Sequence, residues 1–240
     1  MPDAAVQGIF LDKTDVLCYG IYEEGDTKEG ILILNQEILI QKIKLFRLLD
    51  DDFMTKVFED DIKCTEFLLH IIMNRDDLKV QEVRTQYNVK NLLGRSVRLD
   101  IHAVDKEKKK YNIEIQRADK GAGAKRARYN SSIIDANSLQ PGTDFNDLPE
   151  TYVIFITEND VMGENKPIYH IDRTVRETGK IFPDETHIIY VNGAYRDDSP
   201  LGLLMHDFSC TEPADMYYKI LADKTRYYKE IGNCETSSQS

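Results

Sequence analysis

Val97-Arg-Leu-Asp-Ile-His-Ala-Val104 and Tyr111-Asn-Ile-Glu-Ile-Gln116, separated by Asp105-Lys-Glu-Lys-Lys-Lys110, decide how this chain is read. Both runs are short, apolar and rich in β-branched residues, and the charged stretch between them predicts a turn, so the three pieces form an antiparallel hairpin. Each run carries one carboxylate where a strand wants an apolar side chain, Asp100 in the first and Glu114 in the second. In a hairpin the two lie roughly opposite each other. Carboxylates set among Leu, Ile and Val repel each other and lose hydration unless a cation neutralises them. A hard divalent ion with oxygen ligands meets that need. Gln116, two residues beyond Glu114, emerges on the same strand face. The competing reading is a pair of acids on the outer face of a sheet, turned to solvent.

Working outward, Gly121-Ala-Gly123 opens a helix from about Ala124 to Asn137, closed by the turn Pro141-Gly142. Thr151–Thr157 (TYVIFIT) is a continuous apolar run, the pattern of a strand buried on both faces, and His187–Asn192 is a second such strand. On the N-terminal side, Phe53, Val57, Phe58, Ile62, Phe67, Leu68, Ile71 and Ile72 recur at helical spacing and predict one or two helices over Phe53–Met73. Asp50-Asp51-Asp52 reads as a break or N-cap before them, and Gln81–Tyr87 as an edge strand or connector. Pro200–His206 predicts a short helix. Thr211 and Pro213 predict the N-cap and first turn of a final helix reaching about Ile231. In residues 1–46, Asp15–Tyr22 and Gly30–Leu34 read as strands without assignable chemistry, and residues 232–240 as a polar tail. The order of elements predicts an α/β fold: a central mixed sheet with helices on both faces, in a domain spanning 47–231.

The 240 residues suit one sizeable domain with an appendage. No apolar run reaches membrane-spanning length and no secretory signal opens the chain, so a cytoplasmic protein without membrane contact is expected. Cys18, Cys64, Cys210 and Cys234 are far apart with no C-x-x-C pair, a spacing that argues against zinc and against a disulfide framework. The net charge of −11 excludes indiscriminate nucleic-acid binding. The charge is uneven, however: Arg117–Asn130 holds five basic residues against one acidic, and Lys106, Lys108, Lys109 and Lys110 precede it. A basic strip thus borders the proposed carboxylate pair. A solvated helix face is the plain alternative.

The ordered set resembles the PD-(D/E)XK nuclease superfamily, and more narrowly the recombination-promoting nucleases, or PD-(D/E)XK nuclease family transposases. The matching stretches are Asp51-Asp-Phe-Met54 with Lys56-Val57, Cys64-Thr-Glu-Phe-Leu-Leu69, Val97–His102, Ile113-Glu-Ile-Gln116, Lys125-Arg-Ala-Arg-Tyr129, Tyr152–Ile156 and the Lys224 to Lys229 end of the last helix. The resemblance covers roughly 47–231 and implies a restriction-endonuclease-like core acting as a metal-dependent DNA endonuclease, linked to recombination or mobile elements. It implies Mg²⁺, with Mn²⁺ able to substitute, held by Asp100, Glu114, the Ile115 carbonyl and Glu66. Gln116 would orient the attacking water. Arg117, Lys120, Lys125, Arg126 and Tyr129 would contact DNA. Gln116 stands where the superfamily usually has lysine, so a neutral amide replaces a cation.

Two other readings stay open. Gln116 and the acidic net charge also suit a nuclease-fold protein that binds nucleic acid or regulates without efficient cleavage. An interaction module is the third, its final helix pairing with a second copy through Tyr217, Ile220, Tyr227 and Tyr228. For Arg126 and Tyr129, three apart on one helix face, packing against the sheet edge competes with phosphate contact. His102 reads either as a neighbour of Asp100 or as a partly exposed strand histidine.

Overall fold

The computed structural model describes residues 41–91, 94–117 and 121–237, with side chains described to 230. The expected strands at Asp15–Tyr22 and Gly30–Leu34, and Lys120 of the basic strip, lie outside the described residues. Arg47–Tyr228 forms a compact unit that holds every strand below; of the described residues outside it, 41–44 are helical.

The apolar periodicity over Phe53–Met73 resolves into two helices, α1 (Asp51–Phe58) and α2 (Ile62–Met73). Asp60, with φ 52°, turns the chain between them, and the Asp61 carboxylate accepts from Cys64 N to cap α2. Three strands follow: β1 (Val80–Val89), β2 (Val97–Asp105) and β3 (Lys110–Gln116). Helix α3 (Ala124–Ala136) leads to β4 (Thr151–Thr157), β5 (Ile168–Ile171), β6 (Thr186–Asn192), α4 (Pro200–Ser209) and α5 (Lys219–Ser237).

The strands form one mixed sheet in the order β1-β2-β3-β4-β6-β5. The β1–β2 and β2–β3 pairs are antiparallel, β3–β4 and β4–β6 parallel, and β5–β6 antiparallel. Central β4 is apolar from Val153 to Ile156 because both its faces are covered. Val153 and Phe155 join Leu99 and Tyr190 beneath Ala127, Ile133 and Ile134 of α3. Ile154 and Ile156 alternate to the opposite face and are equally buried. Helices α1 and α2 pack on β1 and β2. This is the α/β restriction-endonuclease-like architecture expected for the chain.

Three elements depart from the sequence reading. Strand β5 was not expected, since its four residues are half-exposed and show no apolar alternation. Helix α4 runs past His206 to Ser209, with Ser199 as its cap and Pro200 in its first turn. The final helix starts at Lys219 and not after Thr211; Pro213–Asp215 forms a separate 3₁₀ turn. The buried Asp207 carboxylate causes the later start by accepting the backbone N–H groups of Tyr217 and Tyr218, each at 2.8 Å. Tyr217 therefore lies before the helix meant to carry it.

Candidate active site

The hairpin pairs β2 with β3 over Ile101–Val104 and Lys110–Ile113. Beyond Ile101, β2 continues beside β1 to Val97, while β3 continues beside β4 to Gln116. The strands part as a fork, with Asp100 on one prong and Glu114 on the other. Asp100 Oδ2 crosses the opening to accept from Ile115 N at 3.1 Å. Asp100 is 6% exposed and Glu114 0%. Neither turns to solvent, so the outer-face reading of the two acids does not hold.

Burying two acids together has an electrostatic cost. Desolvation, and after it the charges of Glu114 and Asp51, push the Asp100 carboxyl up to about 8. Desolvation also raises Glu114, opposed chiefly by Arg126. The Arg126 guanidinium donates to Glu114 Oε2 at 2.5 Å and to the Gly121 carbonyl at 3.0 Å, and lies 5.8 Å from the Phe155 ring centre. Glu114 Oε1 is buried and has no hydrogen bond of good geometry, although the buried Asn112 amide lies near enough to help hold the Glu114 carboxyl down.

A third carboxylate arrives from α1. Across β1 and β2 the pairing passes from Thr85–Ile101 to Tyr87–Leu99, leaving Gln86 beside Asp100 and outside the ladder. Gln86 takes φ 50° there, a left-handed conformation uncommon for a side-chain-bearing residue. Its amide donates to Thr55 Oγ1 at 2.8 Å and to Asp51 Oδ1 at 3.4 Å. Asp51 is thereby held close enough to repel Asp100; its own carboxyl is raised by desolvation and by Asp52, while Arg98 and Arg126 pull it down. The sequence reading passed over Asp51 as part of a helix break. The usable signal was that Asp51 opens the first stretch carrying the family resemblance.

Glu66 does not join the pair. Its carboxylate accepts from Lys79 Nζ at 2.9 Å and from Val80 N at 3.0 Å. Val80 pairs with Asp105, five residues along β2 from Asp100, a separation of about 16 Å at ~3.3 Å per residue. Glu66 fastens α2 to the far end of β1. His102 is buried, its ring stacked 5.2 Å from that of Tyr87, and burial lowers it to about 4; it is a neutral packed histidine and not a partly exposed one.

Gln116 lies against the Gly121 backbone: a Cβ at position 121 would meet Gln116 Oε1 at 1.7 Å. Gly121 also gives its carbonyl to Arg126, so Glu114, Gln116, Gly121 and Arg126 form one cluster.

The basic residues divide. Arg117 is spent on Asp50 at 2.8 Å and Glu158 at 3.4 Å, with Arg47 also bonded to Glu158 at 2.8 Å. The Tyr129 hydroxyl donates to the Arg95 carbonyl and ties α3 to the turn between β1 and β2. Lys125, Arg128 and Arg98 are exposed and in no ion pair among the described residues. Arg98, absent from the sequence-based set, comes two residues before Asp100.

The buried oxygen donors of Asp100 and Glu114, only partly compensated by Arg126, fit a hard divalent cation, with Glu114 Oε1 as a ligand atom; the exposed Asp51 adds negative charge from α1 without forming one ligand cluster with them. Comparison with known proteins points to a nuclease family. The sequence model of the PD-(D/E)XK nuclease family transposases matches residues 58–193. The chain belongs to that family. No curated protein and no solved structure matches it. Nucleases of this superfamily generally use divalent metal ions. The match begins after Asp51, whose place near the pair rests on its hydrogen bond from Gln86 and its charge acting on Asp100. Among the described residues no helix is long and apolar enough to cross a membrane.

Proposed function

We propose that this protein is a Mg²⁺-dependent DNA endonuclease that hydrolyses phosphodiester bonds at the fork between β2 and β3, with Mn²⁺ as a substitute and a role in recombination or mobile elements. The observation that carries this reading is the fully buried Glu114, one oxygen of which has no well-formed hydrogen bond, across the fork from an Asp100 whose carboxyl is pushed up to about 8. Arg126 pairs with Glu114 alone, so Asp100 keeps no cationic partner of its own, and a bound cation would relieve the repulsion between the two acids.

Asp100, Glu114 and the Ile115 carbonyl would hold the ion, and Asp51 takes the place first given to Glu66. When bound, a divalent cation polarises the phosphate and lowers the pKa of a coordinated water. The remaining work falls to the chain's own groups. The Gln116 amide, held against Gly121, orients the attacking water by hydrogen bonding. Arg126, already bonded to Glu114, brings to the fork the fixed positive charge that Gln116 lacks, where negative charge develops on the phosphate. Lys125, Arg128 and Arg98 would meet the DNA backbone, joined by Lys120; Arg117 and Tyr129 can do so only by leaving Asp50 and Arg95.

The test is single-turnover cleavage of a labelled duplex with saturating Mg²⁺, comparing the parent with Asp100→Ala. Cleavage should be abolished in a variant that stays folded. Equal rates would overturn the assignment. A second reading, a nuclease-fold regulator that binds without cutting, is favoured by the Arg126–Glu114 bond, which occupies one of the ligand oxygens. It predicts DNA binding without Mg²⁺-dependent product in the parent.

A further inference from the structure

Far along the chain from the fork, the end of α4 gathers three side chains of differing ligand chemistry. His206 and Cys210 stand four residues apart, and Asp207 follows His206. His206 Nδ1 is 3.3 Å from Asp207 Oδ1 and 3.4 Å from Cys210 Sγ, and one ligand atom from each residue lies within 4.8 Å of the others. A tetrahedral zinc ion with bonds of ~2.0 Å to nitrogen or oxygen and ~2.3 Å to sulfur sets its ligand atoms about 3.3 Å apart for a nitrogen–oxygen edge and about 3.5 Å for a nitrogen–sulfur edge. The two separations match those edges.

We infer that His206, Asp207 and Cys210 bind one Zn²⁺ ion, with water in the fourth position. The surroundings are those of a ligand set already held in place. Asp207 is fully buried, and its two oxygens accept from Tyr217 N and Tyr218 N at 2.8 Å, which fixes the carboxylate's orientation as outer-shell donors do around metal ligands. The Tyr217 ring meets the His206 imidazole edge-on at 4.7 Å and restrains it. Arg196, which donates to Ser209 Oγ at 2.6 Å, interacts electrostatically with Cys210 and offsets part of a thiolate's charge. His206 and Cys210 are only half-buried, so an ion has a way in.

The donor set selects the metal. Sulfur and imidazole suit zinc, whereas Mg²⁺ wants six oxygen ligands. The fork and the α4 end would therefore hold different ions. Binding displaces the thiol proton, and through Asp207 the ion would fasten the end of α4 to the segment leading into α5. The wide spacing of the cysteines excludes paired-cysteine zinc sites, but one cysteine with a histidine four residues before it is a different ligand pattern.

Cobalt(II) reports such a site by its colour. The metal-stripped full-length chain, titrated with Co²⁺, should develop a thiolate-to-cobalt charge-transfer band and the visible bands of tetrahedral cobalt, saturating at one ion per chain. Zn²⁺ should displace the cobalt and Mg²⁺ should not. Cys210→Ser should lose the charge-transfer band, and His206→Gln should weaken binding about tenfold or more. Asp100→Asn should leave the band unchanged, which separates this site from the fork. With the fork saturated by Mg²⁺, Zn²⁺ should raise the melting temperature of the parent more than that of Cys210→Ser. A parent without the band, or a band that survives Cys210→Ser, overturns the site.

Discussion

Arg126 of α3 is hydrogen-bonded at 2.5 Å to Glu114 of β3, so a buried strand acid is neutralised by a cation from another element. Arg126→Ala would leave that carboxylate buried and unpaired. Breaking a fully buried pair costs roughly 3–5 kcal/mol. Arg126 is itself partly exposed, and solvent screening reduces the expected loss to about 1–2 kcal/mol. Urea denaturation of the metal-free protein measures it, and Mg²⁺ should restore part of the loss by binding the folded state. An unchanged midpoint would mean that the bond contributes nothing.

Stability of the metal-free protein should depend on pH in a defined sense. Asp100 titrates near 3.9 in an unfolded chain and at about 8 in the fold. A carboxyl raised by folding has its stabilising, protonated state fully present below pH ~4. That contribution is lost as pH rises from about 4 to about 8, by at most ~1.4 kcal/mol per pH unit. Asp100→Asn should flatten the slope and make the metal-free protein more stable at neutral pH. Thermal melts across this range decide it; a parent that grows more stable from pH 5 to 8 contradicts the buried repulsion.

Asp51 and Glu66 should separate cleanly. Asp51→Asn should lower the cleavage rate and weaken Mg²⁺ binding, because its negative charge acts on Asp100. Glu66→Gln should leave the rate near that of the parent and cost about 1 kcal/mol of stability, since it loses the charge at Lys79 and Val80. Rates and melts of both variants give the answer. A large rate loss in Glu66→Gln with little change in Asp51→Asn would restore the original assignment.

Gln116 offers a graded series. Gln116→Ala should slow cleavage less than Asp100→Ala, since it removes water positioning and no ligand. Gln116→Lys should keep or raise the rate by placing a cation near the phosphate. Gly121→Ala should mimic Gln116→Ala at small cost to stability, because the added methyl meets only the movable end of the Gln116 side chain. A Gln116→Ala enzyme as fast as the parent would show that this amide takes no part.

DNA affinity should fall steeply with salt, with a log–log slope of only a few units, since few basic residues are unspent. Reversing Arg98, Lys125 and Arg128 singly to Glu should each reduce the slope, while Arg117→Ala should change it little. Fluorescence anisotropy between low and moderate salt is the measurement.

Much of the fold was legible because its signals are local. Helical spacing marked α1 and α2, a turn-forming charged run marked the hairpin, and unbroken apolar residues marked β4 and β6. The Asp100–Glu114 pair was legible for the same reason: the six charged residues Asp105–Lys110 between two strands close a tight hairpin, which brings the acids near each other. Long-range geometry was not. Periodicity does not say which way a helix turns toward a sheet, so Glu66 was as good a third acid as Asp51 until α2 was seen anchored at the Val80 end of β1. The fork in the hairpin depends on β1 and β4 each holding its own strand. The Arg126–Glu114 bond depends on where α3 crosses Phe155. The late start of α5 depends on Asp207, ten residues before the amide it holds. Residue type and spacing set what each segment can become; packing and the need to satisfy buried charge set which distant groups meet.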